Sequence, residues 1–134
     1  MIRRLLLALL ACGLIGTAAE LWLMGHHESA WQAAPFAAMA CALGAGGWCA
    51  LSGSAIAVRV FQLAMALLML AGVTGTVLHY RANMEFQLEM DASLGGFALL
   101  TRVLQAKAPP ALAPGNMALL GLVGLVATYR LTPK

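Results

Sequence analysis

Residues 55–80, AIAVRVFQLAMALLMLAGVTGTVLHY, decide the fold class of this chain. The stretch carries one full charge, at Arg59, and closes with His79 and Tyr80. A run of about 20 apolar residues is long enough to cross the hydrocarbon core of a bilayer as a helix. Residues 55–80 therefore predict a membrane-spanning helix.

Two apolar stretches precede this segment and extend the same pattern. Residues 5–25 are interrupted only by Thr17 and Glu20, and residues 31–52 carry no charge. The second stretch is rich in Ala and Gly, whose small side chains allow helices to approach closely in lipid. Both stretches predict membrane spans, and residues 31–52 predict the centre of a helix bundle.

A fourth apolar stretch, residues 111–131, is interrupted near its start by Pro114, Gly115 and Asn116. Of the 134 residues, 62% are hydrophobic and 10% are charged. A soluble domain has roughly 25% charged residues. The sequence therefore predicts an all-α integral membrane protein, with four transmembrane helices forming a single domain over residues 1–134.

The charged residues predict how the spans are oriented. Lys and Arg in short loops favour the cytoplasmic side of the membrane, and they are scattered rather than gathered into a nucleic-acid-binding patch. We therefore expect the chain to lie in a bacterial inner membrane with both termini in the cytoplasm. Its expected partners are the lipid bilayer and other membrane subunits or a second copy of the chain. The inner basic residues are then Arg3, Arg4, Arg59, Arg130 and Lys134, and the outer ones are Arg81, Arg102 and Lys107.

The long outer segment, residues 81–110, predicts two further pieces of helix. Arg81, Glu85 and Glu89 recur every four residues, which indicates that the third helix continues beyond the bilayer. Residues 93–107 then predict an amphipathic helix at the membrane interface. The alternative is a surface helix that packs on the protein itself.

Pairs of glycine at three-residue spacing mark each span. Such pairs give one flat face on a helix, and flat faces favour close contact between membrane helices. The glycines expected to pack helices are Gly13, Gly16, Gly44, Gly47, Gly72, Gly75, Gly121 and Gly124.

The topology gathers ionisable residues at the outer face. Imidazole and carboxylate groups suit zinc or another first-row metal, which makes His27, His79 and Glu20 the candidate metal ligands. The spacing is not a recognised metal motif, however, so no cofactor is predicted, and the alternative role is polar capping of helix ends. The candidate functional cluster is Glu20, His26, His27, Glu28, His79 and Glu85.

Glu20 is the most informative member of this cluster, because a carboxylate within a membrane span is costly and marks a candidate functional site. Its structural alternative is an ion pair with His27 or with an outer arginine, Arg81 or Arg102. Four spans with a single Glu in the first resemble the small multidrug-resistance exporters. The resemblance implies that Glu20 binds protons and cationic drugs alternately, as the corresponding Glu does in that family. The resemblance rests on the number of spans and on Glu20. Residues 81–110 have no counterpart in the family.

No catalytic constellation is apparent, so the expected function is that of a non-catalytic membrane subunit or accessory protein. The alternatives are a small proton-coupled transporter that uses Glu20, and a metal-binding or redox-associated protein that uses the outer His/Glu cluster. A dry bundle with Glu20 paired at its rim favours the first hypothesis. A polar cavity that reaches Glu20 favours the second.

Overall fold

The computed structural model describes residues 2–106 and 112–129, and every regular element within them is helical. Three of the five helices, α1 to α3, are long and apolar enough to cross a membrane. The all-α class is thus confirmed, and three of the four predicted spans are helices that could cross a membrane. The helices are α1 Ile2–Leu23, α2 Ala30–Ser52, α3 Ala55–Met90, α4 Gly96–Leu104 and α5 Gly115–Ala127.

Local capping sets the limits of α2 and the start of α3. The Ser29 hydroxyl accepts a hydrogen bond from the Gln32 N–H, and the Gln32 side chain accepts one from the Ser29 N–H, which together form a capping box. Gly53 ends α2 in the left-handed conformation, at φ 60°. Ser54 then caps α3 by accepting from the N–H of Ala57. This tight turn makes α2 and α3 antiparallel neighbours.

The third helix is longer than the predicted span. At 36 residues, α3 is about 54 Å long, against roughly 30 Å for the hydrocarbon core. It ends at Asp91, whose carboxylate accepts hydrogen bonds from the hydroxyl and the N–H of Ser93. These two bonds hold the pKa of Asp91 below its usual value, the side-chain bond contributing most. Ser93 therefore belongs to a turn, and the next helix begins later, at Gly96.

The short helix α4 packs back against α3. Val103 is fully buried, whereas Phe97 is 79% exposed, and Leu100 and Leu104 are also exposed. Part of the predicted apolar face of this helix therefore packs on the protein, and the rest is exposed. Residues 107–110 of the outer segment lie outside the described residues.

The last helix is shorter than the predicted fourth span. Its 13 residues extend about 20 Å, and residues 111, 130 and 131 of that span lie outside the described part of the chain. The backbones of α5 and α3 are in direct contact. A Cβ atom on Gly72 would meet the backbone of Ala118, and one on Gly121 would lie 2.6 Å from the Met65 carbonyl oxygen.

The helices contact one another in a closed ring. α3 packs between α2 and α5, α1 also packs between α2 and α5, and α1 makes no backbone contact with α3. These two helices therefore face each other across the ring. The apolar core fills the part of the ring nearer the α2–α3 turn, which we call the Gly53 end; it includes Leu14, Met39, Phe61, Met65 and Leu68. We call the opposite end, where α1 ends and the turn to α2 begins, the His79 end.

Candidate functional site: a chamber at the His79 end

The ring encloses a half-open chamber of about 840 Å³ at the His79 end. The chamber exists because α5 begins deep within the ring. Pro114, just before α5, lies against Gly75, while α3 continues past His79. Above Pro114, the short α5 therefore leaves space between α1, α2 and α3. Residues 112–114 form a non-helical floor to this space.

The walls of the chamber are mainly apolar, with polar groups from four helices and the turn after α1. Concave apolar sites with a few converging polar groups are typical of ligand-binding pockets. The apolar walls include Leu21, Met24, Trp31, Leu78, Leu112 and Met117. The polar lining residues are Thr17, Glu20, His26, Gln32, Thr74, His79 and Asn116.

A hydrogen bond between α1 and α5 closes the floor. The side-chain amide of Asn116 donates to the Thr17 hydroxyl oxygen over 2.6 Å, and Thr17 is buried. The sequence alone did not reveal this pair, because Asn116 was seen only as an interruption of the fourth span. The available signal was the position of Thr17, three residues before Glu20 and hence on the same helical face.

Glu20 lies one helical turn above this floor and lines the chamber. Its side chain is exposed. Within the described residues it forms no ion pair with His27, Arg81 or Arg102, the partners that the sequence suggested. A carboxylate is thus presented to a chamber with largely apolar walls.

His26 and His79 both line the chamber, and their rings contact each other. The helix α1 stops at Leu23, and Gly25 turns the chain with a φ of 70°. This turn brings the His26 ring within 6.2 Å of the His79 ring, measured between centroids, in an edge-on arrangement at 66°. Burial lowers the pKa of His26, and the charge of His79 lowers it further.

The other members of the predicted cluster lie elsewhere. His27 stacks on Trp22, with ring centroids 4.4 Å apart and an angle of 7° between the planes. Glu28 and Glu85 are exposed and do not line the chamber. The fold thus brings together Glu20, His26 and His79 but separates the remaining three.

The candidate metal ligands are not gathered at one point. In residues 2–106 and 112–129, no group of three or more His, Cys, Asp or Glu side chains is placed to hold a metal ion. Glu20 and His79 share the chamber, whereas His27 is held on Trp22. The chemistry available at the chamber is therefore that of one carboxylate and a pair of imidazoles.

The predicted packing glycines fall into two groups. Gly13, Gly72, Gly75, Gly121 and Gly124 lie so close to neighbouring helices that an added Cβ atom would collide. By contrast, Gly16, Gly44 and Gly47 have no such neighbour within 4 Å. The first group brings α5 against α3 and α1, whereas the second makes no such close contact in the described part of the chain.

Comparisons with protein-family models, curated proteins and solved structures found no match. The carboxylate of the chamber can bind a cationic group, and its walls suit an apolar body.

Proposed function

We propose that the chain spans a bacterial inner membrane four times, with α5 and its flanking residues as the fourth span. Both termini then lie in the cytoplasm and the His79 end faces outward. The distribution of Lys and Arg supports this orientation. In this arrangement α4 lies at the outer membrane interface, with Phe97, Leu100 and Leu104 directed away from α3.

Within this membrane protein, we propose that the chamber is the binding site of a small proton-coupled transporter. The supporting observation is that a cavity reaches Glu20. Non-helical backbone at membrane depth is tolerated where it is buried in protein or lines a water-filled cavity, and residues 112–114 line the chamber.

The chamber favours an amphiphilic ligand with a cationic group. Apolar walls bind the body of such a ligand through removal of its surface from water, and the Glu20 carboxylate complements its charge. The same carboxylate binds a proton when the ligand leaves. Because one carboxylate cannot hold both at once, ligand movement and proton movement are coupled in opposite directions.

A flux measurement tests this proposal. Protein reconstituted into vesicles with an internal pH dye is exposed to tetraphenylphosphonium, a lipophilic cation. We expect addition of the cation to drive proton movement, and Glu20→Gln to abolish it because the amide neither ionises nor attracts a cation. Glu28→Gln is the matched control, since Glu28 does not line the chamber, and it should retain the flux.

Equal fluxes in the parent protein and in Glu20→Gln would contradict the transporter proposal. So would the absence of any flux above that of empty vesicles across a range of lipophilic cations. The monodispersity of each variant in detergent, measured beforehand, establishes that the fold is intact.

A second candidate function is that of an accessory subunit bound to another membrane protein. Two observations favour it: Gly44 and Gly47 have no neighbour within 4 Å, and an apolar groove of about 300 Å³ runs between α1 and α2 beside Gly47. Small side chains let a second helix approach closely. A partner helix seated in this groove would cover Gly47.

Co-purification in mild detergent tests the accessory role. Gly47→Leu fills the groove without a clash inside the chain, and we expect it to release a co-purifying membrane subunit. Gly16→Leu is the control, since Gly16 also has no close neighbour but does not line the groove. Retention of the subunit by Gly47→Leu would exclude this surface as its binding site.

A further inference from the structure

The groove between α1 and α2 occupies only one half of the bundle. On α1 its lining residues run from Leu7 to Leu14, and on α2 they run from Ala42 to Ala50. Because α1 begins and α2 ends at the Gly53 end, the groove lies in the half of the molecule nearest that end. Its lining residues are all Ala, Gly, Leu or Phe, so the groove itself supplies no polar side chain.

Arg3 lies beside the end of this groove. It precedes the lining residue Leu7 by about one turn of α1. Its Nη2 donates a hydrogen bond to the Sγ of Cys49 over 3.9 Å, and Cys49 is the neighbour of the lining residue Ala50. Contact with α2 therefore holds this partly buried cation next to the groove.

The guanidinium of Arg3 has no acceptor that matches its charge. Its Nε is buried and has no hydrogen-bond partner within the described residues, and the thiol sulfur of Cys49 is only a weak acceptor for Nη2. A buried donor without a partner is unfavourable, and a partly buried cation without a counter-ion is more so. An anionic oxygen bound to the guanidinium would offset both costs.

The described part of the chain places no carboxylate side chain near Arg3. On α1, Glu20 lies about 25 Å farther along the helix axis. The other four acidic residues follow α1 or lie near the end of α3, and so belong to the opposite end of the molecule: Glu28, Glu85, Glu89 and Asp91. Arg4 and Arg59 add positive charge at the Gly53 end, which therefore attracts an anion from outside the chain.

The depth of the groove matches one leaflet of a bilayer. From Arg3 to Leu14, α1 rises about 16 Å, and half of the hydrocarbon core is roughly 15 Å thick. A partner helix that crosses the membrane would extend about twice as far as the groove, whereas an acyl chain belongs to one leaflet. The groove therefore fits an acyl chain better than a membrane-spanning helix.

We propose that Arg3 and the groove together bind one anionic phospholipid, with its phosphate on the guanidinium and an acyl chain along the groove. Paired N–H donors of a guanidinium match the oxygens of a phosphate group. In the proposed orientation, the Gly53 end faces the cytoplasm, where basic pockets between membrane helices bind anionic head groups. The lipid site rests on that membrane setting, but it is separate from the chamber and from Glu20.

Thermal unfolding in detergent with added lipid tests this site. A ligand that binds only the folded protein raises the melting temperature. Phosphatidylglycerol should therefore raise it by several degrees more than phosphatidylcholine with the same acyl chains. Arg3→Gln should weaken phosphatidylglycerol binding by about tenfold or more, as expected for loss of a charged hydrogen-bond donor, and should remove most of this difference.

Arg59→Gln is the matched control for charge. It removes one positive charge at the same end of the molecule, but Arg59 is an exposed residue of α3 and does not line the groove. The preference for phosphatidylglycerol should persist in this variant.

Gly47→Leu tests the groove while Arg3 is kept. Its Cβ atom meets no neighbour within 4 Å, and the larger side chain occupies the groove. We expect it to weaken phosphatidylglycerol binding, whereas Gly16→Leu, outside the groove, should bind as the parent does. The two decisive variants, Arg3→Gln and Gly47→Leu, lie on different helices, so misfolding of one leaves the other informative.

Equal stabilisation of the parent by the two lipids would overturn the lipid site. So would a preference for phosphatidylglycerol that survives in both Arg3→Gln and Gly47→Leu. Stabilisation by inorganic phosphate as large as that by the lipid would indicate a free-anion site instead. A co-purified membrane subunit that prevents stabilisation by phosphatidylglycerol, and that Gly47→Leu releases, would assign the groove to a partner helix.

Glu20→Gln separates this proposal from the transport function. Glu20 lies at the other end of α1, so the variant should bind phosphatidylglycerol as the parent does even where proton flux is lost. Failure of the lipid site and failure of the Glu20-dependent flux are therefore distinct results.

Discussion

At the residue scale, the chamber depends on a few polar side chains whose partners are distant in sequence. Thr17 and Glu20 were visible as the two interruptions of the first apolar run. Their environment was not, because Thr17 meets Asn116 almost a hundred residues later. Likewise, the prediction that grouped His27 with Glu20 assumed that the first helix continued through residue 25. The helix ends at Leu23, which sends His26 toward the chamber and His27 onto Trp22.

Thr17→Val tests the hydrogen bond at the chamber floor. Valine keeps the shape of threonine but cannot accept from Asn116, so the free energy of unfolding should fall by about 0.6–1.7 kcal/mol, the usual range for such bonds between membrane helices. Denaturant titration in detergent micelles measures the change.

Thr74→Val is the matched control, since Thr74 lines the same chamber and its side chain has no hydrogen bond within the described residues. Its effect should stay within about 0.5 kcal/mol. Equal losses of unfolding free energy in the two variants would mean that the hydrogen bond between Thr17 and Asn116 does not stabilise the fold.

At the element scale, the sequence predicted the first three long helices well because each is apolar along its length and bounded by clear signals. Ser29 and the Gly53–Ser54 turn, for example, mark the boundaries of α2 and α3. The short α5 was harder to predict. Its start was hard to place because the apolar sequence continues on both sides of Pro114, Gly115 and Asn116.

The α3–α5 interface can be tested with Gly72→Ala. The new methyl group meets the Ala118 backbone, and forced overpacking of this kind typically costs about 1–3 kcal/mol. Gly47→Ala, where no neighbour lies within 4 Å, should be neutral or more stable by up to about 1 kcal/mol, since alanine favours the helix over glycine. A Gly72→Ala protein as stable as Gly47→Ala would contradict this interface.

The packing of α4 gives a second test at this scale. Val103 is fully buried against α3 while Phe97 is 79% exposed. Val103→Asp should therefore lower the unfolding free energy by at least ~2 kcal/mol, because the carboxylate loses its water. Phe97→Asp should leave the melting temperature of the detergent-solubilised protein nearly unchanged. The reverse order of stabilities would mean that α4 turns its other face to α3.

At the scale of the whole molecule, the sequence predicted the membrane class from composition, but the chamber could not be predicted from hydropathy. A cavity forms where neighbouring helices differ in length. Here α5 begins level with Gly72 and Gly75 of α3, whereas α3 continues to Met90. The number of spans depends on the same short helix, so orientation in the membrane is the prediction to test first.

Single cysteines provide that test, in a protein whose Cys12, Cys41 and Cys49 are replaced by alanine. Ala92→Cys should react with an impermeant reagent applied outside intact cells, and Ser52→Cys only after the membrane is opened, because the two positions lie beyond opposite ends of α3. The opposite labelling pattern would mean that the chamber faces the cytoplasm.

The central claim is that Glu20 is a ligand-binding carboxylate within an accessible chamber. Carbodiimide modification of each carboxylate, read by peptide mass spectrometry of the purified protein, tests it most directly. We predict that tetraphenylphosphonium slows modification of Glu20 several-fold while Glu28 and Glu85, which lie outside the chamber, react at unchanged rates. Modification of Glu20 at the same rate with and without the cation, while the reagent reaches all three carboxylates, would contradict the account.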